Sequence, residues 1–191
     1  MPTNRYLVLP IMIAAALVAT GSQRLSEQNK QHAGEPRFQD YPAPVYAGKA
    51  ELLNLRSHPL ARLYRTRLRE NLHEEGINFA GHYTFVTIGC GAGCSVNAIV
   101  DALTGRAFFP PPLNGWTGIV GDFDREDEYE EQTRADSRLL RLLGRPRIGN
   151  LKAERYGPSG IYFYEWSNDR LRLVKVIKVG SYPSRDPKRN R

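Results

Sequence analysis

Cys90 and Cys94 bracket Gly91-Ala92-Gly93, and apolar residues alternate away from the pair on both sides. Three residues, two of them glycine, suit a hairpin connection with one residue at φ > 0. Setting the cysteines opposite each other fixes the pairing beside them: Ile88 faces Val96, Val86 faces Ala98 and Thr84 faces Val100. Side chains alternate across a strand, so all of these share one face with the cysteines. That face is almost wholly apolar. The other carries Tyr83, Phe85 and Thr87 against Asp101, Ile99 and Asn97, a mixed set expected to be half covered. A slip of one residue would scramble this separation. Opposed residues lie about 4.5–5.5 Å apart at Cα, within reach of a disulfide. Closing so short a loop is worth about 2 kcal/mol.

A second turn follows at once. Asp101 is placed to cap it by an Asx bond, and Thr104-Gly105 supplies the left-handed residue. With Ala102–Gly105 as the loop, Asp101 meets Arg106 as an opposite-charge pair across the strands. Phe109 then joins the cysteine face and Phe108 the other, making a three-stranded meander with a defined inside.

The compartment is read from the other end of the chain. Met1–Arg5 is a short cationic start, Tyr6–Thr20 an apolar run, and Ala19-Thr20-Gly21 offers small residues for cleavage. Residues 1–21 thus read as a secretory signal, too short for a comfortable span. No stable membrane insertion is expected after cleavage; an uncleaved N-terminal membrane anchor is the second reading. Export makes one disulfide the simplest use of two nearby cysteines. Zinc would need two further ligands, and no second pair is spaced to supply them. Haem attachment wants C-x-x-C-H, and a thioredoxin-type site wants two residues between the cysteines. No cofactor and no metal are expected. The formal net charge of +7 suits acidic surroundings, an unknown envelope protein or polymer. Nucleic acid is not expected, because no base-reading motif appears.

Residues 22–44 are polar with three prolines and read as a flexible linker. A single domain of 45–180 follows, then a disordered basic tail, 181–191. Within the domain, Lys49–Leu55 is a candidate first strand. Ser57 is the expected N-cap of one helix, Ser57–Glu75, with Pro59 in the first turn. Leu60, Ala61, Tyr64, Leu68 and Leu72 make its apolar stripe, and Gly76 ends it. Arg62, Arg65 and Arg69 line the opposite side, which reads as a solvated surface rather than a basic docking face. Gly115–Val120 is a short strand. Asp122–Glu131 is acidic but fails the calcium-loop template, lacking glycine at Asp127 and glutamate at Thr133. Ser137–Leu143 is ambiguous between helix and strand, and Arg145–Pro158 reads as loop. Gly160–Trp166 and Arg170–Val179 form a last hairpin, with a change of phase between Leu173 and Val174 that marks a bulge. The expected fold is α+β: an antiparallel sheet of six to eight strands, a meander of hairpins, with one amphipathic helix packed on a face.

Four motifs resemble those of a family of small exported bacterial proteins of uncharacterised function: N-F-A-G-H/K-Y, C-G-x-x-C, D-x-x-T-G and Y-x-Y-x-W. Here they stand at Asn78–Tyr83, Cys90–Cys94, Asp101–Gly105 and Tyr162, Tyr164, Trp166. The resemblance implies export and a shared fold, and no chemistry. Where members often carry a tryptophan before the cysteine loop, this chain has Ile88-Gly89.

For function, G-x-S-x-G, H-E-x-x-H and a phosphate-binding glycine loop are all missing, and oxidised cysteines leave no thiolate nucleophile. His82 is a candidate general base with Asn78, Asn97 or Asp101 nearby; the plainer reading is a histidine that pins a turn. Tyr162, Tyr164 and Trp166 share one face of a strand, as a stacking platform for glycan or peptide or as core under the helix. The candidate binding residues are therefore Asn78, His82, Tyr83, Asn97, Tyr162, Tyr164 and Trp166. The expected function is an exported, periplasmic or secreted, non-catalytic binding module. The alternative is a small periplasmic hydrolase using His82.

Overall fold

The computed structural model describes residues 34–91, 93–118, 132–149 and 155–179. The chain divides into two units, Met1–Glu35 and Pro36–Arg191. Of the first only Gly34 and Glu35 are described, and every described helix and strand belongs to the second. The signal, most of the linker, the acidic stretch and the basic tail lie outside the described residues.

Strands β1 (Tyr83–Gly91) and β2 (Cys94–Asp101) pair antiparallel with Thr84 on Val100, Val86 on Ala98 and Ile88 on Val96. The expected register holds as far as Gly89 on Ser95; then Gly91, not Cys90, pairs with Cys94. Cys90 occupies the resulting bulge, and Gly91 and Gly93 both take positive φ. The cysteines are thus offset rather than directly opposed, yet they stand 5.2 Å apart at Cα and are disulfide-bonded. Strand β3 (Ala107–Phe108) pairs with β2 in the register set by the Asp101–Arg106 turn, with Ile99 on Phe108 and Val100 on Ala107. The turn closes as an Asx turn, the Leu103 N–H donating to Asp101 Oδ1 at 2.9 Å and Thr104 Oγ1 to Oδ2 at 2.6 Å. Those bonds hold the Asp101 carboxylate over its own turn. Arg106 therefore meets Asp101 only through the backbone, and its guanidinium turns instead to Asp169, 3.5 Å away. The expected charge pair is not formed.

Strands β4 (Asn114–Thr117), β5 (Leu139–Pro146), β6 (Gly160–Ser167) and β7 (Arg170–Lys178) complete a seven-stranded sheet in the order β1-β2-β4-β5-β6-β7, with β3 beside β2. All these pairings are antiparallel. Four strand spacings separate β1 from β6, about 19 Å in a flat sheet. The Tyr83 and Trp166 rings nevertheless lie 5.6 Å apart. The sheet is therefore strongly curled, and its concave face closes over Tyr83, Phe85, Ile99, Trp116, Leu140, Tyr162 and Trp166. This corrects the expectation of a half-covered second face: curvature buries Tyr83, Phe85, Asn97, Ile99 and Asp101, and of that set Thr87 alone stays exposed. The β6–β7 pairing slips between Phe163 and Tyr164, leaving Val174 as the extra residue, where the change of phase placed it.

The convex face of β1–β2 holds the helix. Instead of one element there are two, α1 (Pro59–Leu63) and α2 (Arg65–Glu74), joined at Tyr64. His58, not Ser57, caps the start, its Nδ1 accepting from the Leu60 N–H at 3.1 Å. Ser57 is engaged elsewhere, donating to the Asn54 carbonyl and accepting from the Ala107 N–H. Ala61 and Leu68 are fully buried against Val86, Ala98 and Val100, with Leu60, Tyr64 and Leu72 beside them. Gly76 leaves the helix at φ +60°, the conformation expected of the residue after a helix end.

Two flanking segments depart from expectation. Lys49–Leu55 is not a strand: only Leu53 is buried, and the segment lies across the second turn, Glu51 and Asn54 donating to the carbonyls of Ala102 and Gly105. A Cβ on Gly105 would stand 2.0 Å from the Leu52 carbonyl oxygen, so this crossing requires glycine. Pro36–Pro44, expected in the tether, docks on the domain. Phe38 covers Leu139, Ile161 and Phe163, Ser137 Oγ donates to the Phe38 carbonyl, and the Ala43 N–H donates to that of Asp136. The buried Phe38 ring and these hydrogen bonds together offset the cost of ordering the strap. The ambiguous Ser137–Leu143 segment resolves as the start of β5. The segment read as loop from Arg145 begins inside that strand and returns as a bridge between Arg147 and Tyr156. Among the described residues, no helix is long and apolar enough to cross a membrane.

Candidate functional site

The Asn78–Tyr83 motif is a turn clamp. Ala80 and Gly81 both take positive φ, and the Asn78 and Phe79 N–H groups converge on the Tyr83 carbonyl. Asn78 holds the Phe85 backbone from both sides, accepting its N–H at 2.7 Å and donating to its carbonyl at 3.2 Å. Both ends of its amide are thereby used, which makes Asn78 a structural residue.

The clamp delivers His82 and Tyr83 to a shallow cleft of about 410 Å³, with Trp166, Ser167, Arg138 and Pro44 also lining it. The His82 ring lies 4.2 Å from that of Tyr83, and its Nε2 is 3.8 Å from Asp101 Oδ1. That separation is too long for a hydrogen bond. The Tyr83 hydroxyl donates to Asp169 Oδ1 at 3.0 Å. Burial, reinforced by the Asp169 carboxylate, pushes the Tyr83 phenol up to about 12. Of the residues singled out in the sequence, the fold thus gathers His82, Tyr83 and Trp166 at one place, with Asp101 behind them.

The remaining candidates go elsewhere. Asn97 is 2% exposed on the sheet's concave side, opposite Thr87. Tyr162 and Tyr164 pack inside, at 5% and 3% exposure, and even Trp166 retains only 2%. A stacking platform needs a free ring face, so the three aromatics are core and not a platform. They are core under the opposite hairpin, however, and not under the helix. The curl of the sheet decides that.

Across the β6–β7 turn from His82 lies a groove that the sequence did not announce, also about 410 Å³. Phe108, Phe109, Leu171 and the Pro110–Pro112 run line it, with Arg106 and Arg170 among its polar groups. The Arg106 guanidinium sits 4.9 Å over the Phe108 ring. His58 contributes as well: because its Nδ1 accepts the helix cap, its neutral form carries the proton on Nε2. Asp169 stands between groove and cleft, at a turn where Asn168 and Asp169 both take left-handed backbone, φ +51° and +56°. The signal was present as Phe108-Phe109 running into three prolines, but a proline run reads first as a strand stop.

The chain matches no family model, no curated protein and no solved structure. Among the described residues, no group of three or more histidine, cysteine, aspartate or glutamate side chains is arranged to hold a metal ion.

Proposed function

We propose that the protein is an exported binding module, periplasmic or secreted, that recognises a protein or polymer of the cell envelope. The observation that carries this reading is the groove beside the β6–β7 turn, where apolar rings and prolines lie next to two exposed guanidiniums. Arginine beside aromatic surface is a frequent composition for recognition sites. The Cys90–Cys94 disulfide and the motif resemblance support export. The test is capture from envelope extract by the tagged protein. Arg106→Ala with Arg170→Ala should abolish capture while His82→Ala leaves it intact. Capture that survives the arginine pair and dies with His82→Ala reverses the assignment.

A hydrolase using His82 is the second reading, favoured by the imidazole lining a cleft 3.8 Å from a carboxylate. It ranks lower because the Asp101 carboxylate already accepts two bonds from its own turn. Turnover of simple esters that disappears in His82→Gln would restore it.

A further inference from the structure

We infer, building on the binding-module reading, that the groove takes an acidic peptide segment carrying an aromatic or large aliphatic side chain. The chemistry rests on the residues that line the groove. Arg106, Arg170 and the His58 Nε2–H are donors without acceptor capacity, and among the described residues lining the groove one carboxylate, Asp169, stands against them. A ligand that adds negative charge complements this set. The apolar part, from Phe108 through Pro112 to Leu171, asks in addition for an apolar side chain. A uniformly charged polymer would leave that surface uncovered, whereas a peptide pairs carboxylates with apolar groups at a spacing of a few ångströms. The volume lies at the lower end of the range that holds small ligands, about 300–1,000 Å³.

Asp169 acts as the internal stand-in for the ligand's carboxylate. Its bond to Tyr83 is well formed at 3.0 Å, but its pairing with Arg106 is loose at 3.5 Å, and both side chains are well exposed, at 40% and 54%. An exposed pair of this length is readily exchanged for another. An incoming carboxylate takes Arg106 from Asp169, leaves Asp169 on the Tyr83 hydroxyl, and engages Arg170. The position also keeps a left-handed backbone on an aspartate, where glycine would be the easier residue.

The experiment measures binding of labelled short peptides to the full chain at two salt concentrations. The probes are a repeat of two glutamates and one phenylalanine, a polyglutamate of equal charge, and the first repeat with glutamine for glutamate. The mixed peptide should bind, more weakly at high salt, with the other two at least tenfold weaker. Arg170→Ala should weaken it about tenfold, in line with a charge-assisted hydrogen bond. Asp169→Asn removes the competing charge while keeping a side chain suited to the turn, so it should bind severalfold tighter. Arg62→Ala with Arg65→Ala, on the helix face, should change nothing. Equal binding of polyglutamate, or an equal loss in the helix-face variant, would overturn the inference in favour of nonspecific attraction. If the arginine pair governs envelope capture but no probe binds, the ligand class fails and the binding-module reading stands. If neither responds, both fail. Thermal unfolding of each variant confirms that these exposed substitutions leave the fold intact.

Discussion

The β1–β2 and β6–β7 hairpins are held in register by opposite means. In the first, a disulfide ties positions four residues apart at an exposed tip, and apolar residues on one face select the pairing. In the second, the tip is two residues in left-handed backbone, Asn168 and Asp169, and the strands are pinned by burial of Ile161 and Phe163 on one side and Tyr162, Tyr164 and Trp166 on the other. Its turn is then tied to distant chain, Asp169 reaching the Tyr83 hydroxyl and the Arg106 guanidinium. A constraint within five residues stabilises the chain locally and does little to shape the rest. A constraint that spans the domain shapes the candidate sites, because it brings together groups from several strands. The groove and the His82 cleft both flank the second tip, not the cystine.

The contrast between the hairpins breaks most visibly in the core. Trp166→Ala should cost about 3–5 kcal/mol in urea unfolding, as for other buried aromatic deletions, because it empties the seam where β1 meets β6. A cost under about 1 kcal/mol would mean that the sheet is not closed there. Removing both cysteines, Cys90→Ser with Cys94→Ser, should cost about 2 kcal/mol and leave peptide binding at the groove unchanged; coupled loss of binding would show that the two hairpins are not independent.

Tyr83→Phe should cost about 1 kcal/mol for its hydrogen bond to Asp169, and it sharpens the contrast through pH. The Tyr83 phenol is raised from 10.0 to about 12 in the folded protein, chiefly by burial, and the Tyr164 phenol is raised by burial as well. A group whose acid form is favoured by folding holds its full contribution below pH 10 and loses it as pH climbs through about 12. Stability should therefore fall across that alkaline window, and less steeply in Tyr83→Phe. The smallest effect is expected at the turn itself. Asp169→Gly relieves left-handed backbone but forfeits two side-chain bonds, so the net change should lie within about 1 kcal/mol of zero. A large loss would show that the Asp169 contacts dominate the closure of the sheet.

The features legible without coordinates were governed by near neighbours. The Thr84–Val100 register, the Asx turn at Asp101, the Gly76 stop and the bulge at Val174 each arise from alternation or turn chemistry within a single hairpin or turn, and each stands in the structure. The failures were long-range. Phe38 is one ring in a polar, proline-bearing stretch, and nothing beside it reveals that it will cover Phe163. Ser57 suits an N-cap, yet the Ala107 N–H claims its hydroxyl from fifty positions along the chain, and His58 takes the cap.

Sequence alone determined that Tyr162, Tyr164 and Trp166 share one side of a strand, since side-chain alternation is a property of any extended backbone. Whether that side faces water or core was decided only by the curl of the whole sheet, which brings Trp166 to Tyr83 and hides the rings. The same closure sets Arg106 beside Asp169 and opens the groove between them. Pairing between adjacent strands is a local choice of pattern, but curvature sums small twists over every strand and is settled only when the two ends of the sheet meet.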